Sequence, residues 1–365
     1  VGFISAAISK KQLLQTGVPA FVLSGPRGGS SIAASVFNAL LKKKLEENGM
    51  ESIVEQVVRE FCRQNLLPVQ EVGAGIFPTV DLAVTAAQEA QKRLRQLNWE
   101  KRETIIRALR QSIRKYAQVF ADEAVRETGM GRVEDKHFKH LLVADKTPGT
   151  EDMTPRAFSG DRGLTIIEMG PYGVIGAVTP ATNPCATVMN NSIGMIAAGN
   201  GVVFSVHPRA KKVSMHIIDV LNKAIVGAGG PNNLITTVLE PSLENTDQLL
   251  AHPGINMLVA TGGPEIVKKV MSSGKKAIGA GAGNPPVVVD ETANLEHAAK
   301  SIVAGASFDN NLPCIAEKEI IVVDYVADQL KKYMLQNGAF EINGNQVDQL
   351  KRIILSEKQD EKSAG

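Results

Sequence analysis

Short, continuously apolar stretches separated by helix-length segments constrain this chain more than any other feature. They fall at 165–169 (Thr-Ile-Ile-Glu-Met), 173–178 (Gly-Val-Ile-Gly-Ala-Val), 201–205 (Gly-Val-Val-Phe-Ser), 234–238 (Leu-Ile-Thr-Thr-Val), 257–260 (Met-Leu-Val-Ala) and 287–290 (Val-Val-Val-Asp). Strands of this kind, alternating with helices, belong in a parallel sheet buried on both faces. Upstream, residues 79–129 are dominated by helix formers, with an apolar stripe at Ile105, Ile106, Leu109 and Ile113, and read as two long surface helices of the same α/β domain. In such sheets ligands bind beyond the carboxyl ends of the strands. The segments to examine are therefore 179–184 (Thr-Pro-Ala-Thr-Asn-Pro), 206–212 (Val-His-Pro-Arg-Ala-Lys-Lys) and 261–264 (Thr-Gly-Gly-Pro).

Composition narrows the function classes. The 365 residues are 44% hydrophobic, enough for two or three compact units, and the net charge of +2 gives no overall field to gather nucleic acid or an anionic membrane. Three widely spaced cysteines (Cys62, Cys185, Cys314) with no Cys-x-x-Cys pair indicate neither a disulfide framework nor a zinc site, which fits a reducing, cytoplasmic setting. No apolar run approaches the roughly 20 residues of a membrane span, and no signal-peptide pattern opens the chain at Val1. His137 and His140, at helical i, i+3 spacing among basic neighbours, read as a solvated helix face rather than metal ligands.

Cys314 is the candidate for covalent chemistry, the other reading of a lone cysteine being a buried small apolar residue. It lies in the segment 305–317, with Asn310-Asn-Leu-Pro immediately before it, and a thiolate there can attack a carbonyl and hold the acyl group as a thioester. Asn183, after a strand end, reads either as an Asn-Pro turn or as an amide donor to a developing oxyanion. Cys185 is expected to pack. The Gly- and Ala-rich stretch 279–286 offers no carboxylate to activate water, so transfer to an acceptor other than water is expected.

Two resemblances organise the chain. Gly2-Phe-Ile-Ser-Ala-Ala, Ser9-Lys10, Arg27-Gly-Gly-Ser30 and Asn38-Ala-Leu-Leu41 resemble the C-terminal end of precorrin-8X methylmutases of cobalamin synthesis. That family's catalytic histidine lies upstream of the matching tail, so isomerase activity is not carried over. From Met50 onward the chain resembles the aldehyde dehydrogenase superfamily, and within it the CoA-acylating enzymes of ethanolamine and propanediol microcompartments. The motifs are 173–184, Asn190-Asn-Ser192, Ala197-Ala-Gly-Asn200, His207-Pro208, 261–264, 279–286 and 307–317.

The resemblance implies an α/β, Rossmann-type parallel sheet flanked by helices, with a second, incomplete α/β catalytic domain, because family members continue beyond residue 365. It implies Cys314 as nucleophile and Asn183 as oxyanion donor. It implies NAD, with NADP left open, held by Thr179, Pro180, His207, Pro208, Thr261, Gly262, Gly263 and Gly279, and coenzyme A as cosubstrate. Hydrolytic relatives carry a Glu at the position of Gly279. The expected partition is 1–49 methylmutase remnant, 50–77 amphipathic targeting helix and linker, 78–290 NAD-binding domain and 291–365 partial catalytic domain. The stripe at Ile53, Val54, Val57, Val58, Phe61 and Cys62 reads either as a helix packed on its own domain or as a tag for a microcompartment shell protein. The expected activity is oxidation of a short-chain aldehyde to acyl-CoA by a homo-oligomer inside a bacterial microcompartment. The alternatives are an inactive dehydrogenase domain that binds nucleotide or shell protein, and a methylmutase fragment.

Overall fold

The computed structural model describes residues 73–354. The methylmutase-like segment and the 51–67 helix lie outside the described residues.

The chain enters through a two-residue strand, β1 (Ile76–Phe77), and two helices, α1 (Val80–Gln96) and α2 (Trp99–Thr128). Each helix begins where a side-chain oxygen meets its free N–H groups: Thr79 accepts from Leu82, and Asn98 accepts from Lys101 at 2.9 Å. Gly129 ends α2 at φ 69°, a left-handed cap that a residue without Cβ adopts freely. After α3 (Val133–Lys146) come β2 (Arg156–Gly160) and β3 (Gly163–Ile167). The order then alternates: β4 (Val174–Val178), α4 (Pro184–Ala197), β5 (Gly201–Ser205), α5 (Lys211–Gly227), β6 (Ile235–Val238), α6 (Leu243–Ala251), β7 (Met257–Thr261), α7 (Pro264–Met271) and β8 (Lys276–Ala280).

Six strands form one parallel sheet in the order β1-β6-β5-β4-β7-β8. Side chains alternate between two cores. Val174, Val178 and Val203 pack with Val80, Val84 and Ala87 of α1, whereas Ala177, Val202 and Phe204 pack with Ile113 and Phe120 of α2, Met189 and Ile193 of α4 and Ile217 of α5. Both faces of β4 and β5 are buried, which explains why these strands carry no polar alternation. Each fully buried Val, Ile, Met or Phe among them contributes about 1.5–3 kcal/mol by burial.

Three elements depart from the sequence reading. The 165–169 stretch is not part of the buried sheet; β2 and β3 pair antiparallel as a hairpin whose residues are all exposed. A two-residue turn at Asp161 and Arg162 joins the strands, and local pairing satisfies their backbone groups without the sheet. The stretch at 276–280 (Lys-Ala-Ile-Gly-Ala), with Gly279 inside it, forms the edge strand β8; Ile278 is its one bulky apolar residue, too little for a strand signal. The 287–290 stretch belongs to β9 (Pro286–Val289), which leaves the six-stranded sheet and pairs in parallel with β10 (Glu319–Val322). That pair has its own small core, in which Val289 packs with Ala299 and Ile302 of α8 (Leu295–Ser307) and Leu330 of α9 (Asp324–Gln336). A last helix, α10 (Gly344–Ile354), has no buried residues.

Candidate active site

Strand register places the expected nucleotide contacts on one rim. Val178 pairs with Ser205 on one side and Ala260 on the other, and Ala260 pairs with Gly279. The next residues, Thr179, Val206 and Thr261, therefore stand side by side at the carboxyl ends of β4, β5 and β7. Chain order reverses between β4 and β7, so Thr179 and Thr261 flank the switch point of the sheet.

Thr179 is buried, and its N–H donates to the Ser205 carbonyl at 3.1 Å. Its Oγ1 has no hydrogen-bond partner within the protein, an orphaned polar atom at the point where a dinucleotide would pass. Half-buried His207 accepts the Arg209 N–H at Nδ1 (3.1 Å), which leaves Nε2 carrying the proton and able to donate. Burial, and then the Arg209 cation, lower its pKa below the ordinary histidine value. Gly263 precedes α7 with open space around its Cα, and Pro264 occupies the first turn, where its missing N–H removes no helical bond. These residues fit a nicotinamide dinucleotide: an unsatisfied hydroxyl at the switch point, an imidazole N–H on the next strand and an unobstructed helix start.

The second half of the site is built around Asn183, which stands at the N-cap of α4 with φ −134° and ψ 53°. An Asn there ordinarily caps its helix. Its side chain makes no capping bond. Instead Oδ1 accepts from Lys139 Nζ, and Nδ2 points to the Leu312 carbonyl at 3.5 Å, two residues before Cys314.

Cys314 is exposed on the loop between α8 and β10. Asp309, Asn310 and Asn311 precede it in consecutive left-handed conformations (φ 47°, 55° and 60°), a strained run tolerated best by Asp and Asn. Long-range ties hold it. Asn311 Nδ2 donates to the Ala306 carbonyl (2.7 Å) and the Glu317 carbonyl (3.1 Å). The fully buried Asp309 carboxylate accepts from Lys139 Nζ (2.6 Å), Lys136 Nζ (3.2 Å) and the Arg132 N–H (2.8 Å). Burial alone would raise the Asp309 pKa; the bonds from Lys139 and Arg132 outweigh it and hold the carboxyl below its ordinary value. Gly131, at φ 77°, makes room for this carboxylate: a Cβ there would lie 2.0 Å from Asp309 Oδ1.

The glycine stretch also reaches Cys314. A Cβ on Gly283 would lie 2.3 Å from the Cys314 carbonyl oxygen, so the two backbones touch. Gly279 itself faces α7, where a Cβ would come within 2.7 Å of Val267 Cγ1 and 3.2 Å of Met271 Sδ.

Sequence reasoning missed Lys136, Lys139 and Asp309, and misread α3. Its inward face carries Lys136 and His140, which are 2% and 1% exposed, so His140 is not on a solvated surface. Burial lowers its pKa to about 4 while Nδ1 bonds the Ala117 carbonyl at 3.0 Å. The i, i+3, i+4 spacing of Lys136, Lys139 and His140 was the available signal, and three charged or polar residues on one stripe obscured it. Cys185 packs as expected: it is buried, and desolvation pushes its thiol up to about 12.

The "Aldehyde dehydrogenase family" profile matches residues 55–358. The chain belongs to that family. Within it, the chain is 49% identical over 308 residues to a propanal dehydrogenase (CoA-propanoylating) of Citrobacter freundii, an alignment covering 84% of this chain and 67% of the relative. Among solved structures, a propionaldehyde dehydrogenase from the Clostridium phytofermentans fucose utilisation bacterial microcompartment matches with TM-score 0.75 and 49% identity, over 78% of this chain and 66% of that one. A Rhodopseudomonas palustris propionaldehyde dehydrogenase, crystallised with bound CoA and an acylated cysteine, matches with TM-score 0.74 and 53% identity, over 78% of this chain and 65% of that one. The chain thus spans about two thirds of the length of these aldehyde dehydrogenases. A second profile, precorrin-8X methylmutase, matches residues 1–43.

Proposed function

We propose that the chain carries the chemistry of a CoA-acylating aldehyde dehydrogenase, converting a short-chain aldehyde and CoA to acyl-CoA with reduction of a nicotinamide dinucleotide. The observation that carries this reading is the meeting of an exposed Cys314 with a glycine loop that lacks a water-activating carboxylate. The Cys314 thiolate adds to the aldehyde carbonyl, and the oxygen takes up negative charge as the thiohemiacetal forms. Asn183 Nδ2, with the Cys314 N–H, bonds that oxygen; one such donor is worth on the order of 3 kcal/mol in the transition state. A bound dinucleotide would supply the hydride acceptor for this oxidation, and Cys314 would keep the acyl group as a thioester. Thr179, Pro180, His207, Pro208, Thr261, Gly262 and Gly263 would hold it, Thr179 Oγ1 and His207 Nε2 by hydrogen bonds. Gly279, which supplies no base, leaves the thioester for a second thiol.

The relatives' names support both the acyl transfer and a microcompartment setting for this chain. In that setting residues 51–67 would tether the enzyme to a shell protein, and residues 291–365 would form part of a catalytic domain that assembles as a homo-oligomer. NADH formation that requires both aldehyde and CoA, and disappears in Cys314→Ala, is the expected result. Turnover indifferent to CoA would reject the acyl transfer, and nucleotide binding without turnover at any CoA concentration would favour an inactive domain.

A further inference from the structure

Helix α3 reaches both halves of the reacting centre through two lysines. Lys139 Nζ donates at once to Asn183 Oδ1 and to Asp309 Oδ2. Lys136 Nζ runs alongside, donating to the Thr182 carbonyl (3.3 Å) and to Asp309 Oδ2 (3.2 Å). Two ammonium groups therefore bridge the segment that carries the oxyanion donor to the loop that carries the thiol, and Asp309 lies 173 and 170 positions from Lys136 and Lys139. Neither lysine is a surface residue: their side chains are 2% and 12% exposed. Burying them is unfavourable unless the charge has a defined partner, which Asp309 supplies. Burial lowers the Lys139 pKa below the ordinary lysine value; the bond to Asp309 opposes the shift and the Lys136 charge adds to it.

We infer that Lys139, anchored by Asp309, is a positioning residue that sets the orientation of the Asn183 amide toward the carbonyl attacked by Cys314. An asparagine amide presents an acceptor at one end and two donors at the other, and an ammonium has no acceptor. Lys139 therefore admits only the orientation with Oδ1 toward Nζ, because the flipped amide would set NH2 against NH3+. The donor end is left facing the 312–314 segment, where its one protein contact is the long 3.5 Å approach to the Leu312 carbonyl. The missing helix cap fits this arrangement, since capping α4 would draw Oδ1 away from Lys139. Asp309 gives Lys139 a fixed anchor and couples that anchor to the left-handed run preceding the thiol.

This inference rests on Asn183 acting as the oxyanion donor, and the test separates the two. Two reactions of Cys314 are compared in the full chain and in Asn183→Ala, Lys139→Met and Lys139→Arg, each followed by mass spectrometry of the Cys314 peptide. In acylation by p-nitrophenyl acetate the thiolate adds to the ester carbonyl, a tetrahedral oxyanion forms, p-nitrophenolate leaves and an acetyl thioester remains. In alkylation by iodoacetamide the thiolate displaces iodide and no oxyanion forms. Asn183→Ala and Lys139→Met should each slow acylation about 100-fold, the effect of losing one oxyanion donor. Alkylation should be little changed, and Lys139→Arg should recover most of the acylation rate. If Asn183→Ala slows acylation but Lys139→Met does not, the positioning role is wrong and the oxyanion role stands. If Asn183→Ala acylates at the parent rate, the oxyanion role fails and the inference fails with it. If Lys139→Met slows both reactions equally, the lysine only shapes the loop, and the inference is overturned.

Discussion

Cys185 and Cys314 carry the same thiol, and the lysine pair of α3 bears on the surroundings of both, yet the structure gives them opposite chemistry. Cys185 lies in the first turn of α4, 2% exposed, with Sγ against the Phe120 carbonyl at 3.7 Å. Desolvation pushes its pKa up to about 12 even though Lys136 and Lys139 pull the other way. Cys314 is exposed on a loop held by Asp309 and Asn311, with Gly283 against its backbone. A helix start and nearby cations do not by themselves make a thiol reactive. Exposure separates these two cysteines, and in the proposed mechanism only Cys314 has an oxyanion donor in Asn183.

The largest expected contrast is in labelling. At pH 8 a thiol with a pKa of about 12 is ionised in about one molecule in 10⁴. Iodoacetamide on the folded chain should therefore modify Cys314 at least about 1,000-fold faster than Cys185, and denaturant should erase the difference. Comparable labelling of both in the native protein would break the comparison. A smaller but still large effect is expected at the anchor of the Cys314 loop. Asp309→Ala leaves Lys136 buried and should destabilise the fold by about 3–5 kcal/mol in urea unfolding.

The helix between the two cysteines should report pH. His140 is neutral in the fold, with its pKa lowered to about 4 from 6.5, so between those values the unfolded chain binds more protons than the folded one. Its contribution is complete above pH 6.5 and is lost as pH falls toward 4; between pH 7 and 5 the loss is on the order of 2 kcal/mol. His140→Gln should flatten the pH dependence of the urea midpoint by about that amount. The depressed Asp309 pKa acts in a lower window, below the ordinary aspartate range, so the two effects are separable. Gly131→Ala should cost a comparable amount, about 1–3 kcal/mol, from a side chain at φ 77° that also crowds Asp309. It should weaken the Cys314 loop and leave the unreactivity of Cys185 unchanged.

What was legible in the sequence follows from how each part is held. Strands β4 to β7 are fixed by continuous apolar burial, and their residues announce it. Cys314 and Asn183 were singled out because their neighbours form recognisable motifs, and the sheet register brings Thr179 and Thr261 to one switch point. Lys136, Lys139 and Asp309 were not legible. A buried lysine has the same letter as a solvated one, and its partner lies about 170 residues away. The exposed β2–β3 hairpin was misplaced for a related reason: Leu164, Ile166 and Ile167 look like core residues, although all three are more than half exposed. Edge strand β8 was missed because Ile278 is its one bulky apolar residue, and the glycine and alanine around it, with Gly279 against α7, carry little strand signal.

The central claim, that the acyl group on Cys314 waits for a thiol rather than for water, is tested most directly by a single-turnover experiment without CoA. The chain is mixed with propionaldehyde and NAD, and NADH is followed together with the mass of the Cys314 peptide. The account predicts a burst of about one NADH per chain, an acyl adduct on Cys314, and discharge of that adduct as acyl-CoA when CoA is added. Continuous NADH formation without CoA, with free carboxylic acid as product and no adduct on Cys314, would contradict it.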